Sequence, residues 1–265
     1  MFTNSQIVFA FALTAVAGLS TGIGSLIALI SKKTNKNFLS LSLGFSAGIM
    51  IYVSFMEMMP TALEELCAIY GDKEGNFYLI LAFFAGILLI NLIDFLIPEN
   101  LNPHEAHGVE EMEMQTKLKR TGVMVAISIA IHNFPEGIAT FTSALNSLDV
   151  AIPITVAIAI HNIPEGIAVA IPIYHSTGSR KKAFWYSFAS GLAEPLGALI
   201  AFLFLSQLWT PSLNGLILAA VSGIMVFISL DELLPSAEKY GKHHLSIIGV
   251  VSGMLVMAVS LLLFI

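Results

Sequence analysis

The sequence holds a single cysteine, Cys67, so neither an internal disulfide nor a thiolate metal cluster can form within one chain. Charge is scarce as well: 11% of the 265 residues are Asp, Glu, Lys or Arg, against about 25% in an ordinary soluble domain. With 56% apolar residues and a mean hydropathy of +0.84, the chain has too little polar surface to clothe a water-soluble globule. That excludes a cytosolic enzyme, a nucleic-acid binder and a disordered regulator. The net charge is −6 and there is no basic run, so polyanions, nucleic acid included, are poor partners. What the sequence has in abundance is long apolar runs. They describe an all-α, multi-pass integral protein of the cell (inner or plasma) membrane, with the lipid bilayer as its surroundings.

A membrane-crossing helix needs about 20 mostly apolar residues. Eight segments qualify: 6–30, 38–59, 77–97, 122–145, 150–174, 183–207, 212–234 and 245–265, all within one polytopic domain, 1–265. The first lacks a basic leading region and is too long for a cleaved signal peptide. Polar residues Asn146–Asp149 fit a tight helical hairpin between the fourth and fifth. Eleven of the twelve Lys and Arg residues fall in loops after odd-numbered spans, and only Lys73 lies elsewhere. The positive-inside rule therefore puts those loops, the long 98–121 segment among them, in the cytoplasm and both termini outside.

The chain repeats itself. Residues 129–139 (IAIHNFPEGIA) and 158–168 (IAIHNIPEGIA) agree at ten of eleven positions, 29 apart. Residues 18–29 share six of twelve identities with 191–202, and 48–62 share seven of fifteen with 223–237. Matched spans cross in opposite directions. The expected architecture is thus a 3+2+3 inverted repeat, which in transporters places the binding site near the membrane midplane.

Seven acidic residues lie inside the spans (Glu57, Asp94, Glu136, Glu165, Glu194, Asp231 and Glu232), with no Lys or Arg to pair with them. An ionised carboxylate at the bilayer centre costs about 2.5–3.5 kcal/mol on insertion scales. These groups must be protonated, hydrated or neutralised by a cation. On one helix His132, Asn133 and Glu136 share a face through their i, i+3 and i, i+4 spacing; His161, Asn162 and Glu165 do the same on the next. Two imidazoles, two amides and two carboxylates suit zinc and other first-row divalent ions. Pro135 and Pro164 are expected to free the carbonyls of Ile131 and Ile160 and kink the helices. Pro195, directly after Glu194, points to a distorted segment there.

HNFPEG, HNIPEG and GLAEPLGA, with the MEMMPTALEE and LDELLPSAEKYG segments, resemble the ZIP family of divalent metal transporters in its bacterial, ZupT-like branch. The resemblance covers essentially the whole chain. It implies import toward the cytoplasm and a binuclear site, with His132, Glu136, His161 and Glu165 on one ion. Asn133, Glu136, Asn162, Glu165 and Glu194 take the other, Glu136 and Glu165 bridging. Zn²⁺ or another divalent ion is then the cargo, and no organic cofactor is implied. Three glutamates leave −1 with one ion and +1 with two. Binding should displace protons, so affinity is expected to fall with pH.

Glu57 is expected at the outer mouth and Asp231 and Glu232 at the inner one, either handling ions or simply ending helices in water. The 98–121 loop carries His104 and His107 among glutamates, as a cytoplasmic metal-buffering stretch or a solvated acidic loop. Small-residue faces permit a homodimer. Two other functions fit less well. A metal-selective channel would lack saturable kinetics, and a membrane metalloenzyme would need a Glu-x-x-His or His-Glu-x-x-His motif that is missing.

Overall fold

A computed structural model describes residues 3–30, 36–96, 114–205 and 210–263, and all the regular structure in them is helical. The elements are α1 (Asn4–Ile30), α2 (Lys36–Val53), α3 (Met59–Tyr70), α4 (Asp72–Leu96), α5 (Met114–Asn146) and α6 (Leu148–Thr177). They continue as α7 (Arg180–Gly191), α8 (Ala193–Ile200), α9 (Pro211–Ile228), α10 (Leu234–Tyr240) and α11 (His243–Leu262). Among the described residues, seven helical runs are long and apolar enough to cross a membrane. They coincide with seven of the eight expected spans; the remaining one, 122–145, lies within α5.

Several boundaries differ from the sequence expectation, each for a local reason. The helical run begun by α2 does not stop at residue 59 but continues through α3 to Tyr70: Pro60 lies directly after a π-helical turn that accommodates its missing N–H. Residues 114–121, expected in the long loop, already belong to α5. The hairpin between α5 and α6 is tighter than expected, with only the extended Ser147 between the two helices. Both α5 and α6 run on through Pro135 and Pro164 without a break in helical structure. The sixth span, by contrast, is interrupted at Leu192. Pro195 cannot donate to the carbonyl of Gly191 four residues earlier, and its ring crowds that carbonyl.

Among the described residues, three short π-helical turns interrupt the spans: Ser54–Met58, Ala201–Leu205 and Ser229–Leu233. The first and third occupy matching positions of the 48–62 and 223–237 repeat. Each is followed by a proline (Pro60, Pro235) that leaves an i−4 carbonyl without its donor, which favours a wider turn. In each, the leading serine hydroxyl donates to a carbonyl one turn back, Ser54 to Met50 and Ser229 to Met225, both at 2.7 Å.

The helices form two bundles. In one, α1, α5, α6, α7 and α8 pack on each other; in the other, α2, α3, α4, α9, α10 and α11 do. They meet where α2 lies on α6 and α5 on α9. Glycines set the closest approaches. A Cβ at Gly18 would overlap the carbonyl oxygen of Gly191, and one at Gly191 would overlap that of Gly18. Likewise Gly24 meets Ile163 while Gly197 meets Phe134, and Gly166 meets Thr21 while Gly137 meets Glu194. Every one of these pairs maps onto its partner by the repeats in the sequence. Only backbone hydrogens at these points let helices pack so closely, as small residues do in membranes generally.

Candidate metal centre

The hairpin of α5 and α6 carries the two HN-x-PEG segments, and the break after α7 brings the first turn of α8 against them. Gly137 is what lets the α8 backbone at Glu194 reach α5. Asn133, Glu136, His161, Asn162, Glu165 and Glu194 are all fully buried, none more than 1% exposed. The structure thus gathers into one buried interior six of the seven residues expected there. The side chain of the seventh, His132, lies outside the described part.

Two cross-helix pairs organise the group. His161 Nε2 on α6 lies 3.3 Å from Glu136 Oε2 on α5. Asn162 Nδ2 donates to Glu194 Oε1 on α8 and, at 3.0 Å, to the carbonyl of Ala17 on α1. A third contact comes from the other bundle: the Ser46 hydroxyl on α2 is 3.3 Å from both Glu165 Oε1 and the His161 carbonyl, and donates to one at a time. Among the described residues no three His, Cys, Asp or Glu side chains are grouped closely enough to hold a metal by themselves. The amides of Asn133 and Asn162 add oxygen donors to this interior.

Several atoms of this group are nevertheless unsatisfied. Asn133 Oδ1 and Nδ2, Glu136 Oε1, Asn162 Oδ1 and Glu194 Oε2 are buried and have no hydrogen-bond partner among the described residues. Burying a polar atom unsatisfied costs about 1–3 kcal/mol. So many in one place, most of them oxygens, is the arrangement a positive ion relieves.

The repeat is unequal here. Thr21 on α1 stands where its counterpart on α8 is Glu194, and its hydroxyl is also buried without a partner among the described residues. Three carboxylates result rather than four.

Ser46, the Ala17 carbonyl and Thr21 were not singled out in the sequence. A serine two residues before Gly48 in an apolar run carries no periodic signal, and a backbone carbonyl carries none at all. Glu57 is half-buried on the first π-helical turn, while on the third Asp231 is exposed and Glu232 buried. His104 and His107, with most of the 98–121 loop, lie outside the described residues.

Comparison with known proteins identifies the family. The family described as ZIP Zinc transporter matches residues 97–261. The zinc transporter ZupT of Streptococcus mutans is 65% identical over 257 residues, covering 97% of each chain. Proteins of the same name from Clostridium perfringens and Nitratidesulfovibrio vulgaris are 56% and 53% identical, over 98% and 100% of both chains respectively. The chain belongs to the ZIP family of transporters.

Proposed function

We propose that this protein imports divalent transition-metal ions, zinc foremost, with iron, manganese, cobalt and cadmium in its range. Its family consists of transporters, not enzymes, and its apolar helices make it a multi-pass integral membrane protein, in bacteria of the plasma membrane. The observation that carries the reading is the interior set of carboxylate and amide oxygens without partners, beside the His161–Glu136 pair.

In this reading α5 is the eighth membrane span, the spans form the 3+2+3 inverted repeat, and both termini face outward. His132, Glu136, His161 and Glu165 hold one ion; Asn133, Asn162 and Glu194 hold a second with the two bridging glutamates. Glu57 takes ions at the outer mouth, and Asp231 and Glu232 pass them on at the inner one. His104 and His107 meet them in the cytoplasmic loop. Because α2 and α9 of one bundle bear directly on α6 and α5 of the other, a displacement of one bundle against its neighbour exposes the centre to either side in turn. Two copies associate through small-residue faces.

The test is uptake of radioactive zinc into proteoliposomes, wild type against Glu136→Ala/Glu165→Ala, with unlabelled iron, manganese and cadmium as competitors. Saturable uptake that the double variant loses supports the reading, and the order of competition ranks the cargo. Equal flux in both proteins, or flux that never saturates, would replace it with a channel or a different substrate. Zinc affinity should also fall on acidification between about pH 8 and 5, because protons compete for the same oxygens and nitrogens; titration at three pH values measures this.

A further inference from the structure

One side chain of α2 crosses from its own bundle to the metal centre. Gly44 and Gly48 seat α2 against α11, where a Cβ at either would overlap a carbonyl oxygen, of Ser246 and of Val250. Ser46 lies between them in sequence, about 200° round the helix from Gly44. It therefore points away from α11 and toward the other bundle, and it is fully buried. The buried serines Ser54, Ser222 and Ser229 turn their hydroxyls back on their own helical run, donating to carbonyls four residues earlier at 2.7–2.8 Å. The Ser46 hydroxyl instead has both its acceptors on α6, Glu165 Oε1 and the His161 carbonyl, each at 3.3 Å.

Those two distances carry information. A hydroxyl-to-oxygen bond is normally about 2.5–3.0 Å long. At 3.3 Å from two acceptors the hydroxyl stands between them. A shift of α2 against α6 by a few tenths of an ångström gives it wholly to one or withdraws it from both. The repeat does not duplicate this contact. The counterpart of Ser46, 175 residues on, is Val221 of α9, which is buried and has no hydroxyl to offer Glu136. Glu136 pairs with His161 inside its own bundle. The two glutamates thus differ: Glu136 has a partner that moves with it, and Glu165 has one on the bundle it moves against.

We propose that Ser46 is a positioning residue for the metal centre, acting through Glu165. Its hydroxyl orients the carboxylate toward the ion in this arrangement of the bundles and lets go of it when α2 and α6 are displaced. This role rests on the interior being the ion's centre, as proposed above. Metal affinity then depends on bundle position, tight where Ser46 meets Glu165 and weaker where it does not. A carrier can release its cargo in this way without exchanging any ligand.

Equilibrium Zn²⁺ titration of the purified full chain in detergent tests the proposal. Ser46→Ala should weaken Zn²⁺ binding about tenfold, as loss of a supporting hydrogen bond to a metal ligand does. In the Glu165→Ala background, where its acceptor is gone, the same substitution should change affinity less than about twofold. In proteoliposomes Ser46→Ala should raise the KM for zinc without lowering kcat, because release becomes easier. These kinetics decide the matter if Glu165→Ala binds Zn²⁺ too weakly to titrate. An unchanged affinity with a lowered melting temperature would overturn the proposal and leave Ser46 a packing contact. So would a loss that adds in full to Glu165→Ala, or a fall in kcat at constant KM. Wild-type protein that takes up no zinc would count against the transport reading, while the titrations in detergent still decide the role of Ser46. Normal wild-type uptake with no effect of Ser46→Ala would remove this role alone.

Discussion

The first and last parts of the chain pack by the same rules and differ in one place that matters. Gly18 and Gly191 touch each other reciprocally, Gly24 and Gly197 sit on equivalent carbonyls of α6 and α5, and Gly48 and Gly223 bring α2 onto α11 and α9 onto α4. Ser54 and Ser229 even make the same hydrogen bond at the same length. Yet Thr21 on α1 faces Gly166 where Glu194 on α8 faces Gly137. Packing has been kept the same in both parts while one buried carboxylate is present in only one of them. Duplicated backbone geometry thus holds the interior together, and a single side-chain difference sets its charge.

Making the two parts alike at that position should have the largest effect. Glu194→Thr removes a buried carboxylate from the centre and the acceptor of the Asn162 amide. Zinc affinity should fall by about 100-fold or more, since even supporting residues of metal sites cost about 10–100-fold; calorimetric titration alongside vesicle uptake measures it. An unchanged affinity would show that the asymmetry between Thr21 and Glu194 has no bearing on the ion.

Next come the glycines beneath these two residues. Gly137→Ala and Gly166→Ala each force a methyl group into a carbonyl, at Glu194 and Thr21 respectively. Both should lower stability by about 1–3 kcal/mol, the usual cost of overpacking. Gly137→Ala displaces the backbones carrying Glu136 and Glu194, Gly166→Ala only that carrying Glu165, so the first should weaken zinc binding more, by about tenfold. Equal losses of affinity in the two variants would mean that both sides hold the ion alike. Thermal melts and titration of the same samples separate the two effects.

Farther out, Gly48→Ala and Gly223→Ala also meet backbone, at Val250 and Phe83, within the other bundle. They should destabilise by similar amounts, about 1–3 kcal/mol, and leave zinc affinity unaltered. The smallest expected effect belongs to Ser54→Ala and Ser229→Ala. Each removes one hydroxyl-to-carbonyl bond worth about 0.5–1.5 kcal/mol, and the two melting temperatures should shift alike. A large difference between them would locate a functional role on one π-helical turn that the other does not share.

The residues of the buried centre were legible because membrane burial makes charge conspicuous. Glu136, Glu165 and Glu194 stand out in apolar runs, and the i, i+3 and i, i+4 spacing puts Asn133 and Asn162 beside them. The membrane-crossing helices were legible for the same reason, since length and hydropathy are one-dimensional properties. Helix ends were less so. Glu65 lies beyond the span expected at 38–59, and only the continuation of the helix to Tyr70 brings it to Asn146 and Asn214. The smooth passage of α5 and α6 through Pro135 and Pro164, against the break at Leu192 before Pro195, was not readable from proline alone. All three prolines lack the same N–H, and the surrounding packing decides whether the helix bends around the gap or parts.

By itself the sequence determined the class, the number of acidic groups placed in the membrane and the repeat that relates them. These follow from composition and spacing, which folding cannot change. Tertiary structure decided which atoms meet: that Ser46 reaches Glu165 from the neighbouring bundle, that Asn162 bridges α1 and α8, and that Gly137 admits Glu194 to the interior. Such contacts join residues far apart in the chain. They depend on how closely helices approach, which no single segment specifies.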